Sequence, residues 1–120
     1  MPRLLLADDN GMLLDVMGKS LQRRGFDVVS VSNGSQAIQA LQIPGFDVLV
    51  TDFQMPEKTG YDVIAAAIAS KYPFKLIILN TSWFGPEIDA VTEMMRHSFI
   101  PFLVVDKNLS EIVAKITAIL

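Results

Sequence analysis

Three acidic residues stand close behind short apolar runs: Asp8 and Asp9 follow Leu4 to Ala7, and Asp52 follows Val48 to Val50. Carboxylates brought to one place repel one another, so either a proton is held with a raised pKa or a cation neutralises them. Neither His nor Cys lies beside them, and oxygen donors alone call for a hard cation. Mg2+ suits this set, because it takes a few carboxylates, keeps several waters and leaves room for a phosphate oxygen. Such a site stabilises a transferring phosphoryl group while one carboxylate attacks phosphorus to give an acyl phosphate. Asp52, alone at the end of its run, is the candidate nucleophile.

This chemistry requires elements that carry the three acids to one place. Unalternated apolar runs recur at Leu4 to Ala7, Val28 to Val31, Val48 to Val50, Leu76 to Leu79 and Phe102 to Val105, as expected of strands covered on both faces. Between them, and after the last, apolar residues recur at helical spacing, as in Leu14, Met17 and Leu21 or Ile112, Val113, Ile116 and Leu120. Gly25 can end the first helix, Ser35 can cap the second, Pro44 and Gly45 break the chain before the third strand, and Pro86 suits the first turn of the fourth helix. Strict alternation of strand and helix predicts parallel strands with right-handed crossovers in a doubly wound α/β sheet. Five units predict the flavodoxin-like order 2-1-3-4-5, with five helices. Ligands of such sheets bind beyond the carboxyl ends of the strands where the order reverses, here between strands one and three. Asp8, Asp9 and Asp52 stand at those two ends.

Composition narrows the alternatives. A chain of 120 residues, half of them apolar, is expected to fold as one domain over residues 1–120 without staples. With no Cys, disulfides and thiolate chemistry are excluded. Ten basic against 13 acidic residues, a net charge of -3, leave no electrostatic footprint for direct nucleic-acid binding. No apolar run approaches the roughly 20 residues that cross a bilayer, so no membrane association is expected and the chain is read as cytoplasmic.

LLLADDN, followed by DVLVTDFQMPEKTGYDV, resembles the receiver domains of two-component response regulators, and the resemblance spans the whole chain. Its specific part is the acidic pair after the first strand, the strand-ending Asp52, and the loop of Met55, Pro56 and Gly60. The resemblance implies that Asp9 binds Mg2+ directly, that Asp8 assists through water, that Gln54 offers its backbone carbonyl, and that Asp52 is phosphorylated. It implies a phosphohistidine donor on a histidine kinase or phosphotransfer protein. It also implies a downstream effector, an output domain or a homodimer as partner, and self-catalysed loss of the phosphoryl group rather than enzymatic turnover. Pro56 is expected to fix the loop's backbone angle, and Gly60 to tolerate a left-handed turn.

Two positions depart from the family pattern. A Thr or Ser normally ends the fourth strand, and IILNTSW offers Asn80 by simple register or Thr81 by its small neighbour Ser82. Thr81 is the preferred assignment. A Lys followed by Pro normally ends the fifth strand, whereas this chain reads VVDKN. Asp106 in that slot would set a fourth carboxylate against the phosphoryl group, so Lys107 is the expected phosphate partner. Since Asn108 follows it, the loop must be built differently. The stretch from Trp83 to Pro101 is longer than usual, and the spacing of Phe102 to Lys107 does not fit the family's aromatic position. His97 suits a helix C-terminus, Trp83 either covers the site or packs on the fourth helix, and Met94 and Met95 are read as core. A module of receiver fold that works without phosphorylation is the alternative function. A haloacid-dehalogenase-type hydrolase fits less well, because its acids follow the first strand as Asp-x-Asp.

Overall fold

A computed structural model describes all 120 residues, Met1–Leu120. Strands and helices alternate without exception: β1 (Arg3–Ala7), α1 (Gly11–Gln22), β2 (Asp27–Val31), α2 (Gly34–Ala40), β3 (Val48–Thr51), α3 (Gly60–Ala69), β4 (Leu76–Asn80), α4 (Pro86–Ser98), β5 (Phe102–Val105) and α5 (Leu109–Ile119). All strand pairs are parallel, in the order β2-β1-β3-β4-β5. This is the expected flavodoxin-like sheet with five helices.

Alternation along the strands divides the core in two. Leu4 and Leu6, Val48 and Val50, and Leu76 and Ile78 face one way and pack with Leu14, Met17 and Leu21 of α1 and Ile112, Val113 and Ile116 of α5. Leu5 and Ala7, Leu49, and Ile77 and Leu79 face the other way, onto α2, α3 and α4. The three central strands are wholly buried apart from Arg3. The edge strands β2 and β5 are only partly covered, which the apolar runs did not reveal. Edge position, not residue type, exposes them.

Two local expectations are corrected. The cap of α2 is Asn33, whose side chain accepts a hydrogen bond from Gln36 N at 2.8 Å, and Ser35 lies inside the helix. Both residues are good caps, but only Asn33 has the extended backbone that lets its oxygen reach the free N–H groups. Gly60 does not make a left-handed turn; Glu57, at φ 72°, does. Glycine is needed at 60 for another reason: a Cβ there would lie 2.4 Å from the Asp52 carbonyl oxygen. Gly60 N donates to Phe53 O at 2.8 Å, and a capping box between Thr59 and Asp62 starts α3 at this contact. The helix is thereby seated directly against the residue that follows β3.

Candidate functional site

The sheet ladder continues one residue past β1 and β3. Asp8 N donates to Val31 O at 3.2 Å and Asp52 N to Ala7 O at 2.9 Å, so both acids hang on fixed backbone. Asp8 and Asp52 are buried and Asp9 is exposed. One carboxylate oxygen from each of the three lies within 4.8 Å of the others. The acids expected to converge are therefore adjacent in space.

Lys107 joins them from the far side of the sheet. Its Nζ lies 2.9 Å from Asp8 Oδ2 and 3.1 Å from Asp52 Oδ2. The remaining oxygens are held by backbone: Asn10 N donates to Asp8 Oδ1 at 2.9 Å, and Phe53 N to Asp52 Oδ1 at 2.7 Å. Asp106 is exposed and Lys107 half-buried, so the chain turns the ammonium rather than the carboxylate inward. The turn is made by Lys107 itself, at φ 52°, after which Asn108 caps α5 by accepting from Glu111 N. A left-handed Lys is uncommon and costs about 1 kcal/mol. Its two short carboxylate contacts offset that cost.

Burial pushes the Asp52 carboxyl above its ordinary value of 3.8, and the neighbouring Asp8 adds to this. The hydrogen bond and charge of Lys107 pull the other way without overcoming burial. Burial alone would depress Lys107, but the carboxylates of Asp8 and Asp52 outweigh it and raise the ammonium above 10.5. The lysine thus stays charged at neutral pH.

The oxygen set fits a hard divalent cation. Octahedral Mg2+ places opposite ligand oxygens about 4 Å apart, so donors spread over no more than 4.8 Å need little movement to share one ion. Gln54, two residues beyond Asp52, is exposed in the loop before α3, with its carbonyl unclaimed by any backbone hydrogen bond outside helices and strands.

The end of β4 places Asn80 and Thr81 differently. Thr51 pairs with Leu79, so the next rung sets Asn80 beside Asp52. Thr81 N donates to Val105 O at 2.9 Å, which continues the ladder, and alternation assigns Thr81 to the face of Ile77 and Leu79. Thr81 is buried, and its Oγ1 accepts from Trp83 N at 3.0 Å. Trp83 is 44% exposed, with Nε1 3.5 Å from Glu87 Oε2. His97 is a surface residue whose Nδ1 sits 2.8 Å from Glu93 O, within its own helix and away from the acids. Of the methionines on α4, Met95 is fully buried and Met94 packs at the margin of the core.

A doubly wound parallel sheet with a carboxylate triad at its switch point, closed by a lysine from the last strand's end, defines an open α/β protein whose ligand site lies at the carboxyl ends of the strands. The family model for the response regulator receiver domain matches residues 4–117, and the chain belongs to that family. Receiver domains are signalling modules, not enzymes of the ordinary kind. The transcriptional regulatory protein CpxR of Escherichia coli K12 is 32% identical over 122 residues, covering 100% of this chain and 50% of CpxR. The response regulator receiver protein CpdR of Brucella abortus is 32% identical over 80 residues, 67% of each chain. The chain spans about half the length of CpxR. Among solved structures, the response regulator TrrA of Thermotoga maritima, in complex with Mg2+ and BeF, superposes with a TM-score of 0.80 at 24% identity, covering 100% of both chains. A CheY-like receiver domain of Methanospirillum hungatei gives 0.84 at 18%, covering 98% of this chain and 92% of the other.

Proposed function

We propose that this chain is the phosphoacceptor of a two-component relay, taking a phosphoryl group from a phosphohistidine of a histidine kinase or phosphotransfer protein onto Asp52. The observation that carries this is the placement of Lys107 Nζ within 3.1 Å of two buried carboxylates beside a third. A carboxylate oxygen of Asp52 attacks phosphorus, the P–N bond breaks, and its electron pair returns to the imidazole of the donor. Hydrolysis later restores the carboxylate when water attacks phosphorus and phosphate leaves. Lys107 pairs with the incoming phosphoryl oxygens, and the Phe53 N–H held at Asp52 Oδ1 fixes the carboxylate's orientation.

Asp8, Asp9 and Asp52, with the carbonyl of Gln54, would hold Mg2+, which when bound supplies charge neutralisation to the transferring group. The Mg2+ and BeF in the TrrA complex support this choice of cation. Thr81, whose Oγ1 accepts from Trp83 N, would donate its O–H to a phosphoryl oxygen and so link the pocket to the loop before α4. A downstream effector, an output domain or a second copy would then read the face of α4, β5 and α5. No helix is long and apolar enough to cross a membrane, in keeping with a cytoplasmic partner kinase domain.

Incubation with acetyl phosphate or phosphoramidate and Mg2+ should label the protein at Asp52, and Asp52→Asn should abolish the label. Undiminished labelling of that variant would overturn the proposal. The departures from the family pattern at IILNTSW and at VVDKN, at the end of β5, favour a module working without phosphorylation. A parent protein that takes no label and shows no change in Trp83 fluorescence with Mg2+ and beryllofluoride would establish that reading instead.

A further inference from the structure

Asn80 is 2% exposed, and its Oδ1 is wholly buried with no hydrogen-bond partner, the only side-chain atom in the protein of which this is true. Buried polar groups are nearly always paired, so an orphan acceptor calls for a physical reason. Its place supplies one. Ala7, Thr51 and Leu79 share one rung of the sheet, so the next rung holds Asp8, Asp52 and Asn80. Alternation sends these three to the face of Leu6, Val50 and Ile78 beneath α1 and α5. Asn80 itself pairs with Val105, two residues before Lys107. β4 lies between the strand of Asp52 and the strand of Lys107, so the lysine must cross β4 to reach the acids.

The ammonium has three N–H donors and uses two, on Asp8 Oδ2 and Asp52 Oδ2. Those two oxygens belong to carboxylates of the cation-binding triad. A divalent cation held by these carboxylates would repel Lys107 and compete with it for their oxygens. The retreating ammonium needs a new acceptor on the way back towards β5, in a place that adds no negative charge to the pocket. A neutral amide oxygen on β4 meets both conditions.

We propose that Asn80 is a positioning residue that receives the Lys107 ammonium when a divalent cation occupies the Asp8, Asp9 and Asp52 oxygens. The proposal rests on the cation-binding reading above and extends it to a residue outside the acidic set. The orphaned Oδ1 is then an acceptor kept dry and ready for the loaded pocket.

Mg2+ alone is the probe, with no phosphodonor. Calorimetric titration of the full chain should show Asn80→Leu, which keeps the side chain's bulk, weakening Mg2+ binding about threefold to tenfold. In a Lys107→Met background the same substitution should change binding less than twofold. In 15N spectra, the side-chain amide pair that Asn80→Leu removes should shift on Mg2+ saturation, and this shift should collapse in Lys107→Met. Asn80→Val, whose branched side chain suits a strand, repeats the titration should the leucine variant fail to fold. Binding within twofold of the parent for a folded Asn80 variant overturns the proposal, as does equal weakening with and without Lys107. Either result leaves the phosphoacceptor reading standing if Asp52 is still labelled. A parent protein that binds no Mg2+ overturns both.

Discussion

At the scale of single residues, the pocket is an arrangement of charges held close at a cost. Asp52 is raised above 3.8 by burial, so the folded protein binds its proton more tightly than the unfolded chain does. The sign follows from linkage: stability falls as pH rises from the ordinary carboxylate value through the higher folded one, because ionisation is harder in the folded state. Asp52→Asn should therefore stabilise the protein at pH 7 with a chelator present, by on the order of 1 kcal/mol, or a few degrees in Tm. The advantage should shrink as pH drops below the folded value, where the parent carboxyl is protonated as well. Thermal melts of both proteins between pH 4 and 7 test this, and a gain that grows towards low pH would contradict it. Lys107 follows the same sense in a higher window: its raised pKa stabilises the fold below about pH 10, and that contribution fades as pH climbs through the folded value.

At the scale of elements, the ends of β4 and α4 are where this chain is built unusually. The Thr81 hydroxyl and the Trp83 backbone are tied across the β4 to α4 loop. Removing the hydroxyl with Thr81→Ala should leave Asp52 labelling largely intact yet reduce the Trp83 fluorescence change on adding Mg2+ and beryllofluoride by at least half. An unchanged response would separate Thr81 from the switch. α4 ends at Phe99 in the left-handed conformation, φ 63°, with 94% of the residue exposed. The ring buries almost nothing there, so Phe99→Gly should remove backbone strain at little loss and raise stability by about 1 kcal/mol, read from urea denaturation midpoints. A midpoint that falls would mean the ring has a packing role.

At the scale of the whole molecule, the pocket joins β1, β3 and β5 at their carboxyl ends, so occupancy should be felt by the whole fold. A ligand that binds the folded state alone stabilises it by about 2.7 kcal/mol at a hundredfold excess over Kd. Mg2+ with beryllofluoride should accordingly raise Tm by several degrees in the parent and by far less in Asp52→Asn. Equal shifts in both would show that the ions bind somewhere else.

Much of this organisation is legible in one dimension. Alternating strand and helix periods, with an acidic pair after the first strand and a lone Asp after the third, determine a doubly wound sheet whose acids meet at the switch point. Hydrophobic period and crossover handedness are properties of local sequence, so they survive without coordinates. What depends on distant chain segments does not. Ser35 and Asn33 are equal as caps until the backbone of residue 33 is known to be extended. Gly60 reads as a turn glycine until Asp52 O is found 2.4 Å from where its Cβ would be. Asp106 and Lys107 are adjacent letters, and only the left-handed turn after β5 decides which one faces Asp8 and Asp52. Asn80 and Thr81 compete for one slot in the sequence, and only the sheet sets Asn80 on the rung of Asp8 and Asp52 with its oxygen unpaired. The sequence by itself determined which residues could do phosphoryl chemistry and which end of the sheet would hold them. Tertiary structure decided which cation-bearing and polar side chains turn inward there, because that choice rests on side-chain alternation and backbone turns across strands far apart in the chain.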